Sequence, residues 1–230
     1  MSRLLLKNAD DADPGGSWNS DPQGAEAGEG ADREQIAKTG LRLFLAVVSS
    51  LFFLFLLAFI ARSQMTDWLP LTDPVAPLAN PWQLWVNSAF LALSCIALQW
   101  ARMAARRGRL NSTVMAFLLG GVFAIVFLTG QFRVWQQFVA WGYFVAGNPA
   151  NSFFYLLTGV HWLHLLGGLI AWGRTVGKFL SRVPLSQLST SVELCAIYWH
   201  YLLALWFVLF ALLTSTPQTY EALARLCGLR

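Results

Sequence analysis

Charge is what this sequence has least of. Charged residues make up 12% of its 230 positions, where soluble domains carry about a quarter, and 56% are hydrophobic. That balance excludes an ordinary water-soluble domain and indicates an integral membrane protein. Cysteine is also scarce: Cys95, Cys195 and Cys227 show no metal-type spacing, and no CxxCH haem-attachment signature is present. There is no phosphate-binding loop and no nucleophile beside a base, so nothing in the sequence builds an autonomous active site. The net charge of +4 raises nucleic acid as a partner. The Lys and Arg residues, however, lie in short loops between apolar runs rather than along one polar face, so no nucleic acid is expected.

The carboxylates are concentrated at the start. Asp10, Asp11, Asp13, Asp21, Glu26, Glu29, Asp32 and Glu34 stand among Gly, Ala, Ser and Pro, and residues 1–38 lack the apolar content that offsets ordering entropy. A flexible acidic tail is expected there. Residues 4–6 are too short an apolar core for a cleaved signal peptide, so the first long helix is expected to direct insertion.

A spanning helix needs about 20 mostly apolar residues, and five runs satisfy this, near 41–61, 84–103, 113–132, 152–172 and 192–214. Between the first two lies a loop with Pro70, Pro74, Pro77 and Pro81, and after the third an aromatic loop with Trp135, Trp141 and Tyr143. The expected fold is all-α: a five-helix transmembrane domain over 39–216, with a short C-terminal tail at 217–230. Lys and Arg collect on the cytoplasmic side of membranes. Arg33, Lys38 and Arg42, then Arg102, Arg106, Arg107 and Arg109, then Arg174, Lys178 and Arg182 fall on one side, and Arg62, Arg133, Arg225 and Arg230 on the other. The N-terminus is therefore expected inside and the C-terminus outside, in a bacterial-type inner membrane. Trp68, Trp82, Trp85, Trp135 and Trp141 form the expected outer aromatic belt, lipid anchoring or core packing outweighing any binding role.

Polar chemistry inside the spans is confined to few residues. His161 and His164 share a face of the fourth run, and His200 lies in the fifth; Glu193 is the only carboxylate within any span. Counted from the inner ends near Trp172 and Val192, His164 and His200 are both about 12 Å deep and are expected to face each other, with His161 one turn outward. Glu193 lies seven residues before His200, near the inner surface. A metal or haem site is one reading, since imidazole suits zinc, copper and iron. Interhelical hydrogen bonding beside Thr158, Gly159, Gly167 and Gly168 is the other and weighs more. A proton or lipid-headgroup role stays open. Gln131, Arg133 and Asn87 read as polar groups at the interface. A small transporter needs polar groups along a path or broken helices, which this chain does not offer.

The stretch Thr158-Gly159-Val160-His161-Trp162-Leu163-His164 with Gly168, and Glu193 followed by Tyr198-Trp199-His200-Tyr201 and Trp206, resembles subunit III of the haem-copper oxidases in its five-helix form, lacking the first two helices of longer members. Asn87, Gly121, Phe127, Gln131 and Trp135 agree more weakly. The resemblance implies a cytochrome c oxidase subunit III type protein without redox centres. Such a protein has no cofactor of its own: haem and copper belong to the partner subunits I and II, beside which it packs, holding membrane lipids. It carries no catalytic residues, and His161, His164, His200 and Glu193 form a structural polar seam. Ser50 stands where the family carries a membrane glutamate, Leu203 where it carries an aspartate, and Arg133 and Val134 where acidic residues are usual. These departures make an accessory subunit of a nitric oxide reductase the alternative, ahead of a haem-binding membrane protein.

Overall fold

The computed structural model describes residues 22–73, 78, 80–181, 185–226 and 228. It is all-helical among these residues, with α1 (Pro22–Arg62), α2 (Trp82–Arg106), α3 (Leu110–Ala140), α4 (Pro149–Leu180), α5 (Leu185–Leu213) and α6 (Pro217–Leu226). Five of the helices contain stretches long and apolar enough to cross a membrane, Gln35–Arg62, Trp82–Arg106, Leu110–Ala140, Pro149–Leu180 and Leu188–Leu213. The chain divides after Thr39 into two compact units. The described part of the first, 22–39, is helical backbone, and the helix bundle belongs to the second.

Helices run past the ends of the apolar runs because hydropathy and helicity stop for different reasons. Residues 22–38 are rich in Ala, Glu and Gln, good helix formers, and they are helical; residues 1–21 of the expected tail lie outside the described residues. The expected aromatic loop begins later than the sequence suggests, since Gln131, Arg133 and Trp135 end the apolar run but not α3. The expected C-terminal tail holds α6, whose Tyr220 and Ala224 are buried. Pro74, Pro77, Arg182, Cys227 and Arg230 lie outside the described residues.

Helix ends are set by local chemistry. Gly108, at φ +70°, closes α2: its N–H donates to the Ala105 carbonyl and the Arg109 N–H to Ala104, a Schellman arrangement that favours glycine in the left-handed region. Gly142 closes α3 in the same way, with φ +85° and bonds from Gly142 to Val139 and Tyr143 to Phe138. At the start of α4 the Asn148 side chain accepts from Ala150 N–H, with Pro149 in the first turn. Asn148 also donates to the Leu69 carbonyl at 2.6 Å, tying the α1–α2 loop to this helix start.

Four helices close a ring in the order α2, α3, α4, α5, each touching the next and α5 returning to α2. Small residues let them approach. Ser94 Oγ donates to the Gly120 carbonyl between α2 and α3 at 2.7 Å. Gly121 lies under the Trp172 indole of α4, and a Cβ at Gly168 would meet Tyr198 and Trp199 of α5 within 3.0 Å. From Gly40 onward α1 leans on α4, α5 and α6: Phe52 packs on His164, Ser49 Oγ hydrogen-bonds Tyr201 OH at 2.8 Å, and Phe59 meets Phe153 and Tyr220.

Gly121→Ala or Gly168→Ala should therefore destabilise the protein by about 1–3 kcal/mol through overpacking. Gly159→Ala, with nothing within 4 Å of the added Cβ, should be neutral or stabilising because alanine is the better helix former. Thermal melting of the three variants in detergent distinguishes these outcomes.

Candidate functional site

The polar residues of the ring interior meet across helix pairs rather than in one cluster. Between α2 and α3, Asn87 Nδ2 donates to Gln131 Oε1 at 3.3 Å, both side chains being buried. Between α2 and α5, Trp206 Nε1 donates to Ser88 Oγ at 2.7 Å, and the Cys95 thiol reaches the Trp199 carbonyl at 3.3 Å. Three indoles staple α3 to α4. Trp135 donates to Thr158 Oγ1 at 3.1 Å, Trp162 to the Leu128 carbonyl at 3.2 Å, and Trp172 to the Phe117 carbonyl at 2.9 Å. A helix carbonyl keeps a second lone pair after its own helical bond, so the Trp162 and Trp172 bonds cost the helices no backbone pairing.

His161 sits inside this ring. It is fully buried, with its ring centroid 5.1 Å from that of Trp206 and an edge contact to Phe127, and neither ring nitrogen has a hydrogen-bond partner among the described residues. His164, expected on the same face, is half-buried and lies instead beside Phe44 and Phe52 of α1. Its Nδ1–H donates to the Val160 carbonyl of its own helix at 2.7 Å. His200 is exposed and does the same to Ala196 at 2.6 Å. Among the described residues no hydrogen bond or ring contact joins His164 to His200. The two helices do meet at that depth, but the residue that crosses is Tyr198, whose hydroxyl donates to the His164 carbonyl at 2.9 Å. Equal depth fixes one coordinate; one residue of rotation, about 100°, carries His200 outward while Trp199 is buried.

Glu193 joins residues that the sequence places in another helix. Its Oε1 accepts from Arg102 at 2.5 Å and from Arg106 at 2.9 Å, both on α2. The Glu193 and Arg102 side chains are 18% and 25% exposed and Arg106 is 59% exposed, so the Arg102 contact carries more of the interaction. Of the expected aromatic belt, Trp82, Trp85 and Trp141 are exposed. Trp68 is instead buried against Phe59 and Phe153. Ser50, at the position of the family glutamate, returns its hydroxyl to the Ala46 carbonyl at 3.0 Å. Among the described residues no three His, Cys, Asp or Glu side chains come together as a metal ligand set.

Two outcomes are expected from these contacts. His161→Leu, which keeps volume and removes two unpartnered nitrogens, should leave stability within about 1 kcal/mol of the parent or raise it. His161→Ala, which opens a cavity, should cost about 2–4 kcal/mol; equal losses in melting experiments would show that the ring nitrogens matter. Glu193→Gln should destabilise by about 1–3 kcal/mol, because Arg102 keeps its charge in a partly buried place. An additional Arg102→Gln change in the same background should recover part of that loss.

The family described as cytochrome c oxidase subunit III matches residues 18–215. Cytochrome c oxidase subunit 3 of Synechocystis sp. is 33% identical over 180 residues, 75% of this chain and 72% of that protein. The protein of the same name from Chondrus crispus is 28% identical over 182 residues, 77% of this chain and 65% of that protein. The probable cytochrome c oxidase subunit 3 of Mycobacterium leprae is 27% identical over 162 residues, 70% of this chain and 77% of that protein. The match runs from before the first apolar stretch to the end of α5, and the five helices make this a multi-pass membrane protein. The chain belongs to the cytochrome c oxidase subunit III family.

Proposed function

We propose that the chain is the third subunit of a haem-copper terminal oxidase in aerobic electron transport, stabilising catalytic subunit I, packing with subunit II and holding lipid. The family match over residues 18–215 carries this reading. Haem and copper reside in the partner subunits. The three histidines and Glu193 serve packing: His164 and His200 are spent on their own helices, and Glu193 is held by Arg102 and Arg106. A groove of about 280 Å³ between α1, α4 and α5, floored by Gly168, Tyr198 and Trp199, takes lipid chains. The membrane is the inner one, with the N-terminus inside, as supported by the Arg and Lys residues gathered at one set of helix ends. The nitric oxide reductase alternative is not favoured, because the relatives described above carry the name of cytochrome c oxidase subunit 3.

An affinity-tagged chain purified from its native membrane in mild detergent should bring down a haem-copper catalytic subunit visible in the absorption spectrum. Recovery of the folded chain without any haem-containing partner would overturn the assignment.

A further inference from the structure

Arg133 occupies an unusual place on α3. It lines two grooves at once: one of about 390 Å³ between α2 and α3, and one of about 630 Å³ between α3 and α4. Its guanidinium is exposed, within a membrane-spanning helix, and has no ion pair among the described residues. A cation in such a position requires an anionic partner or a path to the headgroups. Both grooves change character in the same direction. Beside Arg133 they are lined by amides, Gln83 and Gln137 in the first and Gln136 in the second. Towards the membrane middle the walls become apolar, reaching Val126 and Ile125 on α3, about 10–12 Å below Arg133 along the helix.

We propose that Arg133 binds the phosphate of an anionic glycerophospholipid whose two acyl chains straddle α3, one in each flanking groove. A guanidinium matches a phosphate through paired charge-assisted hydrogen bonds, and the neighbouring amides donate to the ester and glycerol oxygens. One headgroup that divides into two chains fits one cation standing between two grooves. An apolar partner helix does not, since it would cover Arg133 without supplying a counter-charge. A choline or ethanolamine headgroup would bring a second cation beside the first, which selects an anionic lipid. The site lies on α2, α3 and α4, apart from the α1–α4–α5 groove, so its failure would leave the subunit assignment standing.

The test is native mass spectrometry of the delipidated full-length chain in mild detergent, titrated with dioleoyl phosphatidylglycerol. One tight adduct per chain is expected, with dioleoyl phosphatidylcholine about tenfold weaker. Arg133→Gln should weaken phosphatidylglycerol binding about tenfold, Arg133→Lys should weaken it less while keeping the preference for the anionic lipid, and Arg62→Gln, which removes the partner of Asp67, should leave it unchanged. Val126→Trp, which fills one groove and keeps the charge, should also weaken binding. Unchanged affinity in Arg133→Gln or Val126→Trp, or equal binding of the two lipids, would overturn the proposal. So would loss of the adduct in the intact native complex, which would show a protein helix seated in the grooves. Should Arg133→Gln fail to fold by circular dichroism, the preference of Arg133→Lys between the two lipids decides.

Discussion

A helix in hydrocarbon has already paired its own backbone, so contact with a neighbour depends on close packing and on the few donors left over. Here four of those donors are indoles. Trp135, Trp162 and Trp172 cross between α3 and α4 at successive levels, and Trp206 crosses from α5 to α2. Each such bond is worth only about 0.6 kcal/mol in a membrane, yet each fixes a rotation as well as a distance. An indole reaches a carbonyl on the next helix only in one azimuth. The glycines work in the same sense: Gly121 takes the face of Trp172, whose N–H then finds Phe117. Packing and hydrogen bonding thus select one register between α3 and α4.

The end of the ring where α2 stops and α5 starts is held differently. Glu193 is reached by two arginines of α2, placing one negative charge between two positive ones and closing α2 against α5. At the other end of the bundle α3 carries Arg133, which has no carboxylate partner among the described residues. One end therefore sets a carboxylate among its arginines, and the other leaves its arginine exposed.

Depth was legible in the sequence and rotation was not. The five apolar runs all appear as spanning helices, because a membrane imposes a length that composition reports directly. The facing of His164 by His200 came from counting along two helices, and the structure puts Tyr198 there instead, since side-chain direction changes by about 100° per residue while depth changes by 1.5 Å. The pairing of Glu193 with Arg102 was hidden for a related reason: these residues are 91 positions apart, and only the ring order brings α2 beside α5. Tryptophan misled in another way. Trp68 and Trp135 have the composition of an interfacial belt, but an amphipathic ring serves equally well inside when its N–H or its face finds a partner. The α6 helix was obscured because its amphipathic pattern spans only ten residues.

The attachment of α1 has a consequence in time. Its Ser49 is bonded to Tyr201, 152 residues later in the chain, and Phe59 meets Tyr220 still further on. At the usual pace of synthesis, about 5–20 residues per second, α1 is made roughly 8 to 30 seconds before its partner tyrosine exists. During that interval α1 has its own apolar surface and, once α4 is made, the contacts of Phe52 with His164 and Phe59 with Phe153. Its long run of exposed Leu, Val and Phe side chains suits a helix that sits in lipid before its contacts with α5 and α6 form.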